Sequence, residues 1–219
     1  MELTRYHGNF VNCKKRIESA NQRVATAQEG MFDRIKQGAS SSYKNSGCWH
    51  PEGTARINGI NYWCLAEYSP TTKYAKETLE ANKRNEYLSL TDKIKLGRKP
   101  ASQLIREIAE ADAKLFDYEK RILIPKKQET FSVDSETLGD VDIAVFLARS
   151  PKLAERYGEF LKKCGINSVS FYQIENNYDN VASGFWLHGL GGDCGVFGFG
   201  GYGRGFDTDY FPLFGVAKR

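Results

Sequence analysis

The sequence predicts an α+β protein: a helical N-terminal region carrying one β-hairpin, then a mixed α/β domain. Three observations carry this expectation. Apolar residues recur at steps of three and four from Leu3 to Met31. An Asn58-Gly59 pair separates two strand-like runs. From about residue 130, strand-like and helix-like segments alternate. The 219 residues are 41% hydrophobic and 26% charged, enough to bury an ordinary globular core.

The first pattern runs through Leu3, Tyr6, Phe10, Cys13, Ile17, Ala20, Val24, Ala27 and Met31. That is heptad spacing, and it predicts a long helix ended by Gln37-Gly38-Ala39-Ser40. A helix packing on its own chain and a coiled-coil dimer both satisfy it, so self-association through this helix is one expectation. Next, Thr54-Ala55-Arg56-Ile57 and Ile60-Asn61-Tyr62-Trp63-Cys64 flank Asn58-Gly59. Asn-Gly accepts the two positive φ values of a type I′ turn, which predicts a hairpin near 54–66. Helices are expected over 71–96 and 100–122, with Pro100 in the first turn of the second. Leu104, Ile108, Ala111 and Leu115 mark that helix's buried face. These elements make up a mainly helical region, 1–124, followed by an α/β domain, 125–219.

In the second half, Val141, Ile143, Val145 and Leu147 alternate as one face of a strand would. Ser150-Pro151 reads as an N-cap followed by proline at the first helical position. Leu153, Tyr157, Phe160, Leu161 and Cys164 give an amphipathic helix, and Gly165 ends it. Ser168 to Ile174 reads as a second strand, so 140–174 is expected to form a β-α-β unit. From Gly184 to Gly205 the chain holds ten glycines interleaved with aromatic residues.

No run of about 18 apolar residues occurs, so no membrane span is expected. The polar start Met1-Glu2-Leu3-Thr4-Arg5 does not read as a signal peptide. Cys13, Cys48, Cys64, Cys164 and Cys194 are odd in number and irregularly spaced, which suggests free thiols and a cytoplasmic protein. Net charge is +4 but uneven. Residues 1–130 hold 23 basic against 16 acidic side chains, and 131–219 hold 8 against 11. A basic front half suits an anionic partner such as a nucleic acid. A solvated helical surface explains the same asymmetry.

The sharpest chemical signal is Leu138-Gly139-Asp140-Val141-Asp142-Ile143-Ala144-Val145. On a strand, residues i and i+2 share a face, so Asp140 and Asp142 would point the same way. Two adjacent carboxylates repel, and a divalent cation such as Mg²⁺ would neutralise them and bridge to a nucleoside triphosphate. Gly139 would allow close approach to the backbone.

This segment resembles the metal-binding strand of the polymerase-beta-like nucleotidyltransferases, with Asp140 and Asp142 at the positions of two of that family's three metal-binding carboxylates. The resemblance implies a nucleotidyltransferase-like α/β domain and Mg²⁺-dependent transfer of a nucleotidyl group to an acceptor. Glu175 is taken as the third metal ligand, with Asp179, Asp207 and Asp209 as other candidates. Where the family grips triphosphate with Gly-Ser, this sequence has Glu129-Thr130, so Thr130 would supply the hydroxyl.

Other constellations compete. Gly200-Gly201-Tyr202-Gly203-Arg204-Gly205 suits a phosphate cradle or a packed glycine-aromatic strand pair. Cys48, His50 and Cys64 offer three zinc ligands or two buried thiols. His188 is a candidate base near Cys194. The reading from a different class is a noncatalytic structural or interaction protein, such as a phage or assembly component.

Overall fold

A computed structural model describes residues 3–38, 47–188, 190, 197–200 and 212–218. The chain begins β1 (Thr4–Tyr6), α1 (Phe10–Ser19), β2 (Gln22–Val24), α2 (Ala27–Gln37), β3 (Cys48–Ile57) and β4 (Ile60–Cys64). It continues α3 (Pro70–Lys73), α4 (Ala75–Lys83), β5 (Leu88–Ser89), β6 (Lys95–Leu96), β7 (Lys99–Pro100), α5 (Ala101–Ala111) and β8 (Ile122–Leu123). The last part holds β9 (Phe131–Asp134), α6 (Asp142–Ala148), α7 (Pro151–Lys163), β10 (Ser168–Tyr172), β11 (Val181–Leu187), β12 (Phe197–Gly200) and β13 (Leu213–Ala217).

Among the described residues eleven strands form one mixed sheet, whose main path is β1-β13-β3-β11-β12-β10-β9. The first strand pairs antiparallel with the last, Thr4 opposite Gly215. β3 pairs with β11 along most of its length, through a bulge at Gly184/Phe185. Strands from both ends of the sequence therefore interleave in one sheet. β12 runs parallel to β10 and antiparallel to β11.

The predicted long N-terminal helix is instead two short helices, each followed or preceded by a strand. Asn21 takes a left-handed φ of 53° and breaks the heptad run. Asn9 caps α1, and Thr26 with Glu29 forms a full capping box on α2. The apolar stripe splits accordingly. Phe10, Cys13 and Ile17 bury one face of α1, while Ala27 and Met31 bury one face of α2. No continuous helical seam over 3–31 exists to form a coiled coil.

The β-α-β expectation over 140–174 also gives way. Residues 135–140 form a 3₁₀ turn, and Asp142–Ala148 is a helix whose seven residues are all buried. A short apolar run fits a buried strand or a buried helix equally, since alternation vanishes when every side is covered. Ala144, Leu147 and Ala148 favour the helix, and Arg149 ends it at φ 53°. Pro151–Lys163 follows directly, with Ser150 accepting from the Leu153 amide at 3.2 Å. At Gly158 a Cβ would stand 2.0 Å from the Ser135 carbonyl oxygen, so only glycine lets α7 pack this closely on the 3₁₀ turn.

The sheet has two differently covered faces. α2, α6 and α7 pack together over one, on a core that includes Phe146, Tyr157, Phe171, Phe185 and Phe199. On the other, Phe10, Cys13 and Ile17 of α1 and Ala75 of α4 cover Trp49 and Leu213. A third apolar cluster joins α5 to β3 and β4 through Ile57, Tyr62, Ile105 and Ile122. Asn58 and Gly59, at φ 52° and 77°, make the turn between β3 and β4. Among the described residues no helix is long and apolar enough to cross a membrane.

Candidate functional site: an aromatic sheet face above a buried polar knot

Asp140 and Asp142 do not share a strand. Asp140 is exposed at the end of the 3₁₀ turn, whereas Asp142 is buried at the start of α6. Asp142 Oδ1 accepts from the Ile143 amide at 2.9 Å, and Oδ2 accepts from the Lys126 amide. Its carboxylate thus ties the 126 segment to the N-terminus of a helix, where negative charge is favoured. Gly139 lies against Glu155 of α7. Thr130 Oγ1 accepts from the Gln173 amide at 3.1 Å. Thr130 and Glu175 line one cleft of about 520 Å³ with Glu129, Tyr172 and Gln173. Asp179 accepts from the Gly59 amide at 3.1 Å. Among the described residues no three His, Cys, Asp or Glu side chains form a group able to hold a metal. Cys194, Arg204, Asp207 and Asp209 lie outside the described residues.

What the fold does assemble is a row of rings. Trp49 of β3 pairs with Trp186 of β11, Trp186 with Gly200 of β12, and Gly200 with Tyr172 of β10. Side chains directly opposite in a sheet share a face, so the two tryptophans and Tyr172 project together. The Trp49 and Trp186 centroids are 6.3 Å apart. The His188 ring fills the row, 3.9 Å from Trp186 and 5.7 Å from Tyr172. β12 offers glycine where a side chain would collide. A Cβ at Gly200 would lie 2.0 Å from Trp186 Nε1, and one at Gly198 would lie 2.6 Å from the Tyr172 ring. Trp49 is buried beneath α1, while Trp186, His188 and Tyr172 are partly exposed.

Behind this row, on the opposite face, lies a polar knot. Arg34 of α2 is fully buried. Its Nη1 donates to Tyr157 Oη at 3.0 Å and to the His188 carbonyl at 2.7 Å. Its Nη2 meets Cys48 Sγ at 3.4 Å. Cys48 and His50 share a face of β3, with Sγ 3.1 Å from Nε2. The other imidazole nitrogen lies 3.1 Å from the Ala25 carbonyl. Gly30 admits this arrangement, since a Cβ there would stand 2.7 Å from His50 Cε1.

The electrostatics follow from burial and neighbours. Burial alone pushes the Cys48 thiol up, but His50 and Arg34 beside it outweigh that and bring it down to about 7. Burial opposes the His50 charge, yet the Cys48 sulfur raises its pKa. Burial raises Glu52, which accepts from the Ala27 amide at the first turn of α2. Burial, then Arg34, lowers His188 to about 4. Cys64, the third zinc candidate, belongs to a separate apolar cluster, and burial raises its thiol. Cys13, Cys48, Cys64 and Cys164 are all free thiols.

No protein-family model matches the chain, and no curated protein is significantly similar to it. A solved structure described as "Accommodation of massive sequence variation in Nanoarchaeota by the C-type lectin fold" superposes on it with a TM-score of 0.61. The match covers 97% of this chain and 94% of that one at 10% identity. The chain has a C-type lectin-like fold. The nucleotidyltransferase resemblance is thereby overturned, and with it the nucleotidyltransferase-like α/β fold and the nucleotidyl-transfer activity it implied. A local Gly-Asp-x-Asp string had matched, but in this C-type lectin-like chain it spans a 3₁₀ turn and a helix start.

Sequence reasoning missed Trp186 and Tyr172 as members of the ring row and Arg34 as the centre of the knot behind it. Cys48-Trp49-His50 held a usable signal. On a strand it sends Cys48 and His50 to one face and Trp49 to the other. The pairing of β3 with β11, which completes both clusters, joins residues over a hundred positions apart and leaves no local trace.

Proposed function

We propose that this chain is a noncatalytic recognition protein that holds a macromolecular partner on the Trp186–His188–Tyr172 face and on the two segments that leave it. The observation that carries this reading is the convergence of strand ends around the rings. Residues 188–196 connect β11 to β12, directly beside His188 and Gly198. Residues 201–212 connect Gly200 of β12 to Leu213 of β13, with β11 and β3 lying between those strands. The second connection reads Gly-Tyr-Gly-Arg-Gly-Phe-Asp-Thr-Asp-Tyr-Phe over 201–211. Aromatic and arginine anchors among small residues are the composition of recognition loops, in which rigid rings supply contact area at low entropic cost. The neighbour's description, a C-type lectin fold accommodating massive sequence variation, supports dividing such a chain into a fixed scaffold and a changeable surface.

A display library randomised at Tyr202, Arg204, Asp207 and Asp209 tests this. Most members are expected to fold, and selection against an unrelated protein is expected to enrich specific binders. A library in which most members fail to fold, or from which no binder is enriched, contradicts the reading.

A further inference from the structure

A second cleft lies away from the aromatic face, at α2 and α7. It has a volume of about 750 Å³ and is lined by Phe32, Ile35, Lys36 and Arg156 together with the Arg23–Glu29 pair. That size falls within the range of small-molecule sites. Phe32, Ile35 and Lys36 occupy positions i, i+3 and i+4, one face of α2. Phe32 is 46% exposed although α2 buries its opposite face in the core.

The charges of this cleft are unevenly satisfied. Glu29 is held by Arg23, with Nη2 to Oε1 at 2.6 Å and Nη1 to Oε2 at 2.7 Å. Asp33 is buried and accepts from Gln37 Nε2 at 2.6 Å. Lys36 and Arg156 are exposed and form no ion pair among the described residues. An aromatic and aliphatic floor therefore stands beside two cations that form no ion pair among the described residues, while Glu29 and Asp33 are already engaged.

We propose that the α2–α7 cleft binds a small amphipathic anion, an aromatic ring bearing a carboxylate or sulfonate. The ring rests on Phe32 and Ile35, and the anionic group meets Lys36 and Arg156. A neutral ring of the same shape leaves both cations unmatched, and an acidic group without a ring leaves Phe32 in water.

Anilinonaphthalene sulfonate is the probe, titrated by fluorescence into the full folded chain at neutral pH. Saturation at one site is expected, with competition by 2-naphthoate and much weaker competition by the neutral 2-naphthamide. Phe32→Ala is expected to weaken binding roughly threefold to tenfold through lost ring contact. Lys36→Gln with Arg156→Gln is expected to weaken it by a similar factor and to flatten its dependence on salt. Phe116→Ala, at an aromatic side chain 68% exposed elsewhere, is expected to change nothing. Thermal unfolding verifies that each variant is folded. Absence of a saturable site overturns the proposal. So does binding untouched by either the Phe32 change or the paired charge change, or equal competition by naphthoate and naphthamide.

Discussion

Arg34 Nη1 donates to the main-chain carbonyl of His188 at 2.7 Å, tying a helix near the start of the chain to the residue that follows β11. The same guanidinium reaches Tyr157 and Cys48, so one side chain fixes α2, α7, β3 and the root of the 188–196 connection. Arg34→Met should cost about 3 kcal/mol in urea unfolding, because it removes a charged donor from the part-buried His188 carbonyl and from the buried Tyr157 hydroxyl. Arg34→Lys should recover less than half of that, since an ammonium cannot span the three acceptors of a planar fork. A loss under 1 kcal/mol for Arg34→Met would show that the knot does not hold these elements together.

His188 sets a pH dependence. Burial and Arg34 hold its pKa near 4, below the ordinary 6.5. As pH falls from 6.5 towards 4 the unfolded chain takes up a proton that the folded chain refuses, so stability is lost across that window. The native chain should lose up to about 3 kcal/mol more than His188→Gln between those limits. An NMR titration of the imidazole should give a midpoint near 4, and a midpoint above 6 would remove the basis of the effect.

Gly200 tests the floor beneath the rings. A methyl there has to displace Trp186, whose Nε1 would be 2.0 Å away. Gly200→Ala should alter the near-UV circular dichroism of the tryptophans and cost about 1–3 kcal/mol, the usual size of an overpacking penalty. An unchanged spectrum would mean that Trp186 does not rest on β12.

The two aspartates should separate cleanly. Asp142→Ala should cost about 1–3 kcal/mol in metal-free buffer, because the Lys126 and Ile143 amides lose a charged acceptor. Asp140→Ala, at an exposed position, should stay within about 0.5 kcal/mol. Equal effects from both would contradict their different placement.

Local features were legible in the sequence. The Asn58-Gly59 turn and the Ser150-Pro151 helix start are set by backbone preferences of the residues themselves, and the structure has both. Longer patterns misled. Heptad spacing from Leu3 to Met31 arose by coincidence from two strands and two helices, Tyr6 lying on β1, Val24 on β2, and the buried residues of α1 and α2 in separate clusters. The run from Val141 to Leu147 alternates like a strand, yet it is a helix covered on every side. The aromatic face was hidden for another reason. Its rings come from β3, β10 and β11, and only sheet pairing brings them side by side.

The division into a fixed sheet and a changeable recognition surface is tested most directly by one thermal unfolding experiment. A chain with Tyr202, Arg204, Asp207 and Asp209 all replaced by serine is compared with the native chain and with Trp63→Ala, whose ring is fully buried. The expected result is a cooperative transition within a few degrees of native for the four-residue replacement, beside a large loss for Trp63→Ala. Loss of cooperative unfolding in the four-residue variant would contradict the division, since those residues would then belong to the scaffold itself.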